Sequence, residues 1–447
     1  MYFWNSKSTE LRTVIRKEIN DTDWFKNQLL LWAQAFREVV FLDSNHYHQR
    51  YSSYDCVLAV DAFTSVKTDF TNAFDDLKQY QQQTKDWLFG YLSYDLKNDI
   101  EDLHSHNFDG LDFPDLFFFQ PKKLFLLKDN RLEIQYLRLC DDEIESDFAA
   151  IVNYQQPTTN NHNVTPSAVE GQQPKIQQRI SKESYLAKVN EMLSHIHRGD
   201  IYEANFCMEF YAENARLEPV DIYQKLNAIS RPPFATYFKN NHQYLLCASP
   251  ERYLRKEGNK VISQPIKGTA KRHPDKVLDE HSKTELAQNP KERSENVMIV
   301  DLVRNDLSHT ATKGSVIVEE LCEIYSFDQV HQMISTIVST VEDATSPIEI
   351  LKTTFPMGSM TGAPKISAMK IIEDLEETKR GLYSGAVGYF TPNNDFDFNV
   401  VIRSILYNAQ NEYLSFSVGS AITSQAVPDQ EYEECLLKAK AMFEVLS

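Results

Sequence analysis

The chain has 447 residues, 42% of them hydrophobic and 12% aromatic, enough for a sizeable core in one large domain or two to three ordinary ones. Its 64 acidic and 46 basic side chains leave a formal charge of −18. That balance argues against nucleic acid as a partner, where Lys and Arg must neutralise phosphates, and is compatible with an enzyme that brings in an anionic substrate through a metal. Six cysteines (Cys56, Cys140, Cys207, Cys247, Cys322, Cys435) stand far apart with no C-x-x-C pair. Zinc ribbons and disulfide scaffolds need closer spacing, so buried free thiols are expected. The start Met1-Tyr2-Phe3-Trp4-Asn5-Ser6 lacks the basic and apolar regions of a signal peptide. No apolar stretch approaches the ~20 residues that span a bilayer. The expected setting is soluble and cytoplasmic.

Residues 1–154 read as a mixed α/β scaffold, with room for a small regulatory pocket. Trp24, Leu31, Ala35 and Val39 fall at helical spacing between Asp23 and Val40, ahead of Phe41-Leu42-Asp43-Ser44. Val57–Val60, Trp87–Tyr91, Leu116–Phe119 and Leu124–Leu127 are short, apolar and aromatic-rich, hence strands. Residues 155–178 are rich in Gln, Asn, Thr and Pro and nearly free of large apolar residues; they cannot bury enough surface to order themselves and read as a polar linker or loop. Residues 179–447 form the third part. Tyr185, Val189, Met192 and Ile196 define one face of a helix that Gly199 is placed to end. A second helix is expected over Val220–Ile229, then strands at Tyr244–Cys247 and Lys260–Ile262 that lead to Pro265-Ile266-Lys267-Gly268-Thr269.

Lys267 lies between an apolar neighbour and a glycine. A lysine amine attacks only when neutral, and its ordinary pKa is roughly 10.4, so burial or a nearby cation has to lower it. A surface lysine beside a turn glycine reads the same way in sequence. Downstream, Glu292 and Glu295 open a helix carrying Val297, Ile299 and Val300, and Glu431 and Glu434 open another after Pro428. Residues three apart share a helix face. Two such pairs could converge on one hard cation, and oxygen-only ligands point to magnesium. Acidic residues in a first helical turn also complement the helix dipole and need no metal.

Three segments look suited to an anion. Gly358–Lys365 is a glycine-bearing loop entering a helix that Gly381 can stop, and its exposed amides could hold a carboxylate or phosphate. Arg403 stands alone among apolar residues of the expected strand Val400–Ile405, either paired structurally or forked onto a carboxylate. Small residues at Ser417–Ile422 let backbone amides approach a ligand, as would a plain tight turn. His331, within Asp328–Met333, is either a satisfied core histidine or a site residue.

Together Ser249-Pro250-Glu251-Arg252, the Lys267 stretch, Glu295 through Asp306, Thr361–Lys365, Gly385–Tyr389 and Glu431–Lys438 resemble the chorismate-utilising enzymes, which include anthranilate, aminodeoxychorismate, isochorismate and salicylate synthases. The matches run in family order from about residue 180; earlier only Phe41–Ser44 takes part. The resemblance implies an α+β fold of antiparallel sheets packed face to face with helices outside. Lysine at 267, where anthranilate synthases typically carry alanine, resembles the aminodeoxychorismate synthase large subunit. Tyr383 resembles the anthranilate synthase side, and Val418-Gly419-Ser420-Ala421 has one glycine where the family usually shows a run. The roles so implied are Lys267 attacking C2 of chorismate and Glu251 serving as acid/base at the C4 hydroxyl. Glu295 and Glu434 would ligate magnesium, with Glu292 and Glu431 on its waters. Arg403, Tyr383, Thr361, Gly419, Lys438 and His331 would grip substrate. The resemblance also implies ammonia from a separate glutamine amidotransferase partner, with no nucleic acid and no membrane. Anthranilate or isochorismate synthesis is the neighbouring reading, and a non-catalytic subunit of the same fold is the distant one.

Overall fold

A computed structural model describes residues 11–47, 50–154 and 173–447. Most of the expected linker, 155–172, and the first ten residues lie outside them.

The frame grows from one long strand pair. Cys56–Thr68 lies antiparallel to Leu116–Lys128 over nearly its whole length. The outer edge of Leu116–Lys128 is divided: its C-terminal half pairs with Arg131–Leu137, its N-terminal half with Leu88–Leu92. Midway, Asp61 takes a left-handed φ of 63° and the register slips between Ala62 and Thr64, opposite Pro121. A proline cannot donate to a ladder, and a bulge there bends the strand pair without losing a bond that could have formed. The pair therefore belongs to two sheets.

One sheet runs Arg12–Glu18, Arg131–Leu137, Leu116–Lys128, Cys56–Thr68, Glu38–Asp43, Phe234–Asn240, Gln243–Ser249, Ser404–Asn408, Tyr413–Thr423, Glu203–Ala212. The other leaves through Leu88–Leu92 to Ala386–Phe390, Phe396–Val400, Arg252–Glu257, Lys260–Gln264 and Val330–Thr340. Val330–Thr340 is flanked further by Ile317–Ser326 and Ile266–Lys271. Segments before residue 154 and after 180 share both sheets. Strand alternation splits the apolar residues into two cores. Val40, Phe238, Leu245 and Leu406 of the first sheet meet Val387, Phe398, Leu254 and Ile337 of the second. Phe41, Tyr237, Leu246, Ile405 and Phe416, on the opposite face, are covered by the helices Lys182–Arg198, Pro219–Ser230 and Pro428–Leu446. The α+β architecture expected from the sequence is the one observed.

Several local expectations change. The helix read from Asp23 to Val40 is Thr22–Ala33, and its buried face is Phe25, Leu29 and Trp32 while Trp24 is exposed. Val39 and Val40 instead pair on both sides in a strand, because cross-strand burial outweighs a helical spacing that continues by chance. The two aromatic strands at 116–119 and 124–127 are one. Helix Lys182–Arg198 begins at Ser181, whose hydroxyl accepts from Ser184 N, and ends at Gly199 with φ 90°, as read. The helix before Gly381 stops at Leu375; Gly381 lies past its end and donates its N–H to Asp95. All six cysteines are buried and free. Among the described residues no helix is long and apolar enough to cross a membrane.

Candidate active site

Two chain crossings between the sheets form the floor of the site. Ser249-Pro250-Glu251 leads from Gln243–Ser249 in the first sheet to Arg252–Glu257 in the second, and Val401-Ile402-Arg403 returns from Phe396–Val400 to Ser404–Asn408. The crossings are laced together: Val400 N donates to Glu251 O and Ala248 N to Arg403 O. Arg252 anchors the first by gripping Asp397, Gln264 and Tyr51 O. Arg403 is thus not in a strand. It sits at φ 50° in the return, strained backbone of the kind that persists where the surroundings dictate it.

Lys267 is in strand Ile266–Lys271, not a turn. Gly268 takes φ 89° and the pairing with Val330–Thr340 slips between Ile266 and Thr269. This bulge turns Lys267 inward, where its Nζ donates to Glu203 Oε1 at 2.9 Å, with the two side chains 13% and 2% exposed. Burial lowers the amine pKa more than any other single influence, but Glu203, Glu295 and Glu251 together outweigh it and the net shift is upward. Pairing with Glu203 therefore favours the charged amine, where the sequence reading has burial or a nearby cation lowering it. Glu251 shows the opposite balance. Burial raises it to about 7 against the Ser359 hydroxyl, the Lys267 charge, the Ile266 amide and Arg403, so near neutrality a large share of it carries a proton to give.

The helix Pro290–Ser308 packs across Ile266–Lys271 and Val330–Thr340. Asn296 fixes it there, donating to Met333 O and accepting from the Ser335 hydroxyl. This presents Glu292 and Glu295 to the lysine. Glu295 is 8% exposed, its Oε1 has no hydrogen-bond partner, and burial raises it to about 7 despite Lys267 and Lys291. Glu431, 3% exposed, comes in from the C-terminal helix. Lys291 Nζ lies 3.5 Å from Glu431 Oε1 and 3.9 Å from Glu295 Oε1, so the two glutamate pairs do face one space, with a lysine ammonium among them. Glu434 is half-exposed and pairs with Lys438 at 2.7 Å. Among the described residues no three His, Cys, Asp or Glu side chains stand close enough, as placed, to enclose a metal ion. Glu295 Oε1 accepts no hydrogen bond and has the Lys291 ammonium 3.9 Å away, and the all-oxygen donor set suits a hard cation.

The remaining expected residues divide. Arg403 has no side-chain hydrogen bond or ion pair to a described residue, and burial lowers its pKa against the pull of Glu251. It is a cation held open at the floor. Tyr383 is 4% exposed with Cys207 Sγ 4.0 Å from its hydroxyl. Lys438 donates to Gly419 O. Gly419 is inside strand Tyr413–Thr423, paired with Cys207. A Cβ there would come within 2.6 Å of Cys207 Sγ, so the glycine serves close strand packing. The Thr361 hydroxyl donates to Met357 O and Gly358 O, closing its own turn. His331 has both ring nitrogens engaged, with Ser326 and Asp279; it is a satisfied buried histidine. A pocket also opens beside Phe41–Ser44, lined by Leu42, Ser44, Tyr54, Phe234, Tyr389 and Asn399.

Sequence reading passed over Glu203, Lys291 and Ser359. Nothing in Gly199-Asp200-Ile201-Tyr202-Glu203 marks its glutamate as buried; only the pairing of Glu203 with Thr423 and Ala363 carries it to the lysine. It also passed over the buried pair Glu376–Arg380, which receives Cys207 N and donates to Met360 O and Asn205 O, tying the site wall together.

With this geometry in place, the comparisons agree with one another. Residues 37–444 match the family described as chorismate binding enzyme. The chain is 39% identical over 269 residues to a probable chloroplastic aminodeoxychorismate synthase of Oryza sativa subsp. japonica, covering 60% of this chain and 30% of that one. It is 30% identical over 394 residues to aminodeoxychorismate synthase component 1 of Bacillus subtilis, covering 85% and 79%. It is 31% identical over 359 residues to anthranilate synthase component 1 of Thermus thermophilus, covering 80% and 77%. The chain thus spans under a third of the rice protein and over three quarters of the two bacterial ones. In structure it is similar to anthranilate synthase component I of Streptococcus pneumoniae, TM-score 0.75 at 23% identity over 89% of this chain and 94% of that one, a likeness of fold.

Proposed function

From the premise that the chain belongs to the chorismate-binding enzyme family, we propose that it aminates chorismate at C4, giving 4-amino-4-deoxychorismate on the way to para-aminobenzoate and folate. The observation that carries this reading is Lys267, a buried amine that shares its site with Glu251, whose carboxyl burial raises to about 7. Lysine at this position resembles the aminodeoxychorismate-forming members of the family.

The neutral Lys267 amine attacks C2 as both ring double bonds shift and the C4–O bond breaks. Glu251 gives its proton to the departing hydroxyl, which leaves as water. Ammonia then adds at C4, the C2–N bond breaks and Lys267 is returned, while the proton shed by the new amine restores Glu251. Two substitutions replace one hard displacement, and chorismate plus ammonia gives product plus water. Arg403, whose side chain makes no hydrogen bond or ion pair to a described residue, pairs with a substrate carboxylate, and its planar fork suits that task.

Magnesium is part of the proposal. Glu295 and Glu434, with Glu292 and Glu431 around them, would hold the ion, which when bound supplies positive charge for the ring carboxylate of the substrate. The fit rests on the buried Glu295 Oε1, which accepts no hydrogen bond and has the Lys291 ammonium 3.9 Å away. Ammonia would come from a separate glutamine amidotransferase in the cytoplasm, so the purified chain should use ammonium far better than glutamine.

The test incubates the purified chain with chorismate, magnesium and ammonium and resolves the products by chromatography and mass. 4-Amino-4-deoxychorismate is expected. Anthranilate or isochorismate as the main product would overturn the assignment, and no turnover would favour a non-catalytic subunit.

A further inference from the structure

The proposed mechanism needs a neutral lysine, yet Lys267 Nζ is ion-paired with Glu203 at 2.9 Å, a contact that favours the ammonium. Some group has to take that proton at the moment of attack, in a site where the lysine side chain is only 13% exposed. Glu251 is unsuitable for this, since it has to arrive protonated to release the hydroxyl. Glu295 is three residues from Glu292 and faces the carboxylate cluster with Lys291. The group in direct contact is Glu203, whose Oε1 is 2.9 Å from Lys267 Nζ, hydrogen-bond distance for a proton transfer. Its other oxygen, Oε2, is buried and has no hydrogen-bond partner. A carboxylate that leaves one oxygen bare in a water-poor site is under-satisfied as a purely structural ion-pair member. That oxygen is a place for a proton.

We propose that Glu203 is the proton acceptor for Lys267: it takes one proton from the ammonium as the amine attacks C2 and returns it when the lysine leaves. The exchange conserves charge. An ammonium–carboxylate pair becomes an amine–carboxylic acid pair, both neutral, with no proton crossing to solvent. Position supports the assignment. Glu203 opens strand Glu203–Ala212 at the edge of the first sheet, while Lys267 lies on the second sheet, so each sheet supplies one half of the pair. The charged and titratable groups facing the lysine are Glu203 from that strand, Glu251 from the crossing, Glu292 and Glu295 from the helix Pro290–Ser308 and Glu434 from the C-terminal helix, with Arg403 beside Glu251 and Lys291 beside Glu295.

This inference rests on the proposed lysine chemistry, and its test separates the two. Glu203→Gln keeps the shape and a hydrogen-bond acceptor but removes the base. With an internal base, the rate does not wait for bulk hydroxide; without one, it follows the fraction of neutral lysine. The ratio of variant to wild-type kcat for chorismate consumption should therefore be at least about tenfold below one at pH 6 and climb toward one as pH rises. KM should stay within about threefold, and Glu203→Asp should recover part of the low-pH rate. A ratio that is the same at every pH, or a variant as fast as wild type at pH 6, overturns the proposal, since a merely structural role scales all rates alike. A second measurement needs no turnover: the pH dependence of reductive methylation at Lys267, read by peptide mass, should shift to lower pH in Glu203→Gln. An unchanged profile overturns the proposal. If wild type makes no 4-amino-4-deoxychorismate while the methylation profile shifts, the reaction assigned above fails and the Glu203–Lys267 proton pair stands.

Discussion

Glu251 carries a cost in stability. Burial raises it to about 7, against roughly 4.3 in an unfolded chain. Between those values the folded protein binds a proton that the unfolded one has released, so stability declines as pH rises from about 4 to about 7, by on the order of 3 kcal/mol. Glutamine has no such proton. The melting temperature of Glu251→Gln relative to wild type should therefore increase from pH 5 to pH 8, measured calorimetrically on chelator-treated protein. A difference that stays flat with pH would mean that Glu251 is not buried neutral. The same substitution removes the proton donor, so the more stable protein should be close to inactive, the usual trade at a strained site.

At the scale of the element, a single glycine aims the lysine proposed as nucleophile. Gly268 is left-handed, and a Cβ there would lie 3.0 Å from Glu292 Oε2 and 3.2 Å from Leu286 Cδ1. Gly268→Ala loads the bulge with backbone strain of about 1–2 kcal/mol and pushes on one of the four carboxylates. We expect the melting temperature to fall by a few degrees and kcat to fall more than tenfold, because a small displacement of a positioned nucleophile costs rate steeply. Full activity in this variant would show that the bulge does not orient Lys267. The helices act differently. Pro290–Ser308 is pinned by one buried asparagine, Asn296, and its Glu292 and Glu295 point where that pin leaves them.

For the whole molecule, the shared strand pair sets cooperativity. Cys56–Thr68 and Leu116–Lys128 serve both sheets, and Leu88–Leu92 from the first third pairs with Ala386–Phe390 from the last. Gly90 faces Gly388 in that ladder, and a Cβ on either would meet a strand carbonyl at 2.0 or 2.1 Å. No boundary near residue 180 separates independent cores, so thermal unfolding of the purified chain should be one transition with matching calorimetric and van't Hoff enthalpies. Two resolved transitions would mean that the regions before and after the polar stretch unfold separately.

The sequence by itself determined the α+β class, the family motifs and their order, the free buried thiols, Lys267 and Glu251 as the reacting pair to examine, and the two glutamate pairs that share a space. These were legible because they are local: motif residues adjoin, and three-residue spacing on a helix fixes a face. It did not determine where Val39 and Val40 would lie, that Arg403 would occupy a left-handed return, or that His331 and Thr361 would spend their polar atoms on the protein. Nor did it reveal Glu203, 64 residues from Lys267 in the chain. Those were decided by the tertiary structure, because strand pairing joins distant segments and burial sets charge. The upward shifts of Lys267 and Glu251 follow from which groups the two sheets bring together, and no single segment contains both sides of that contact.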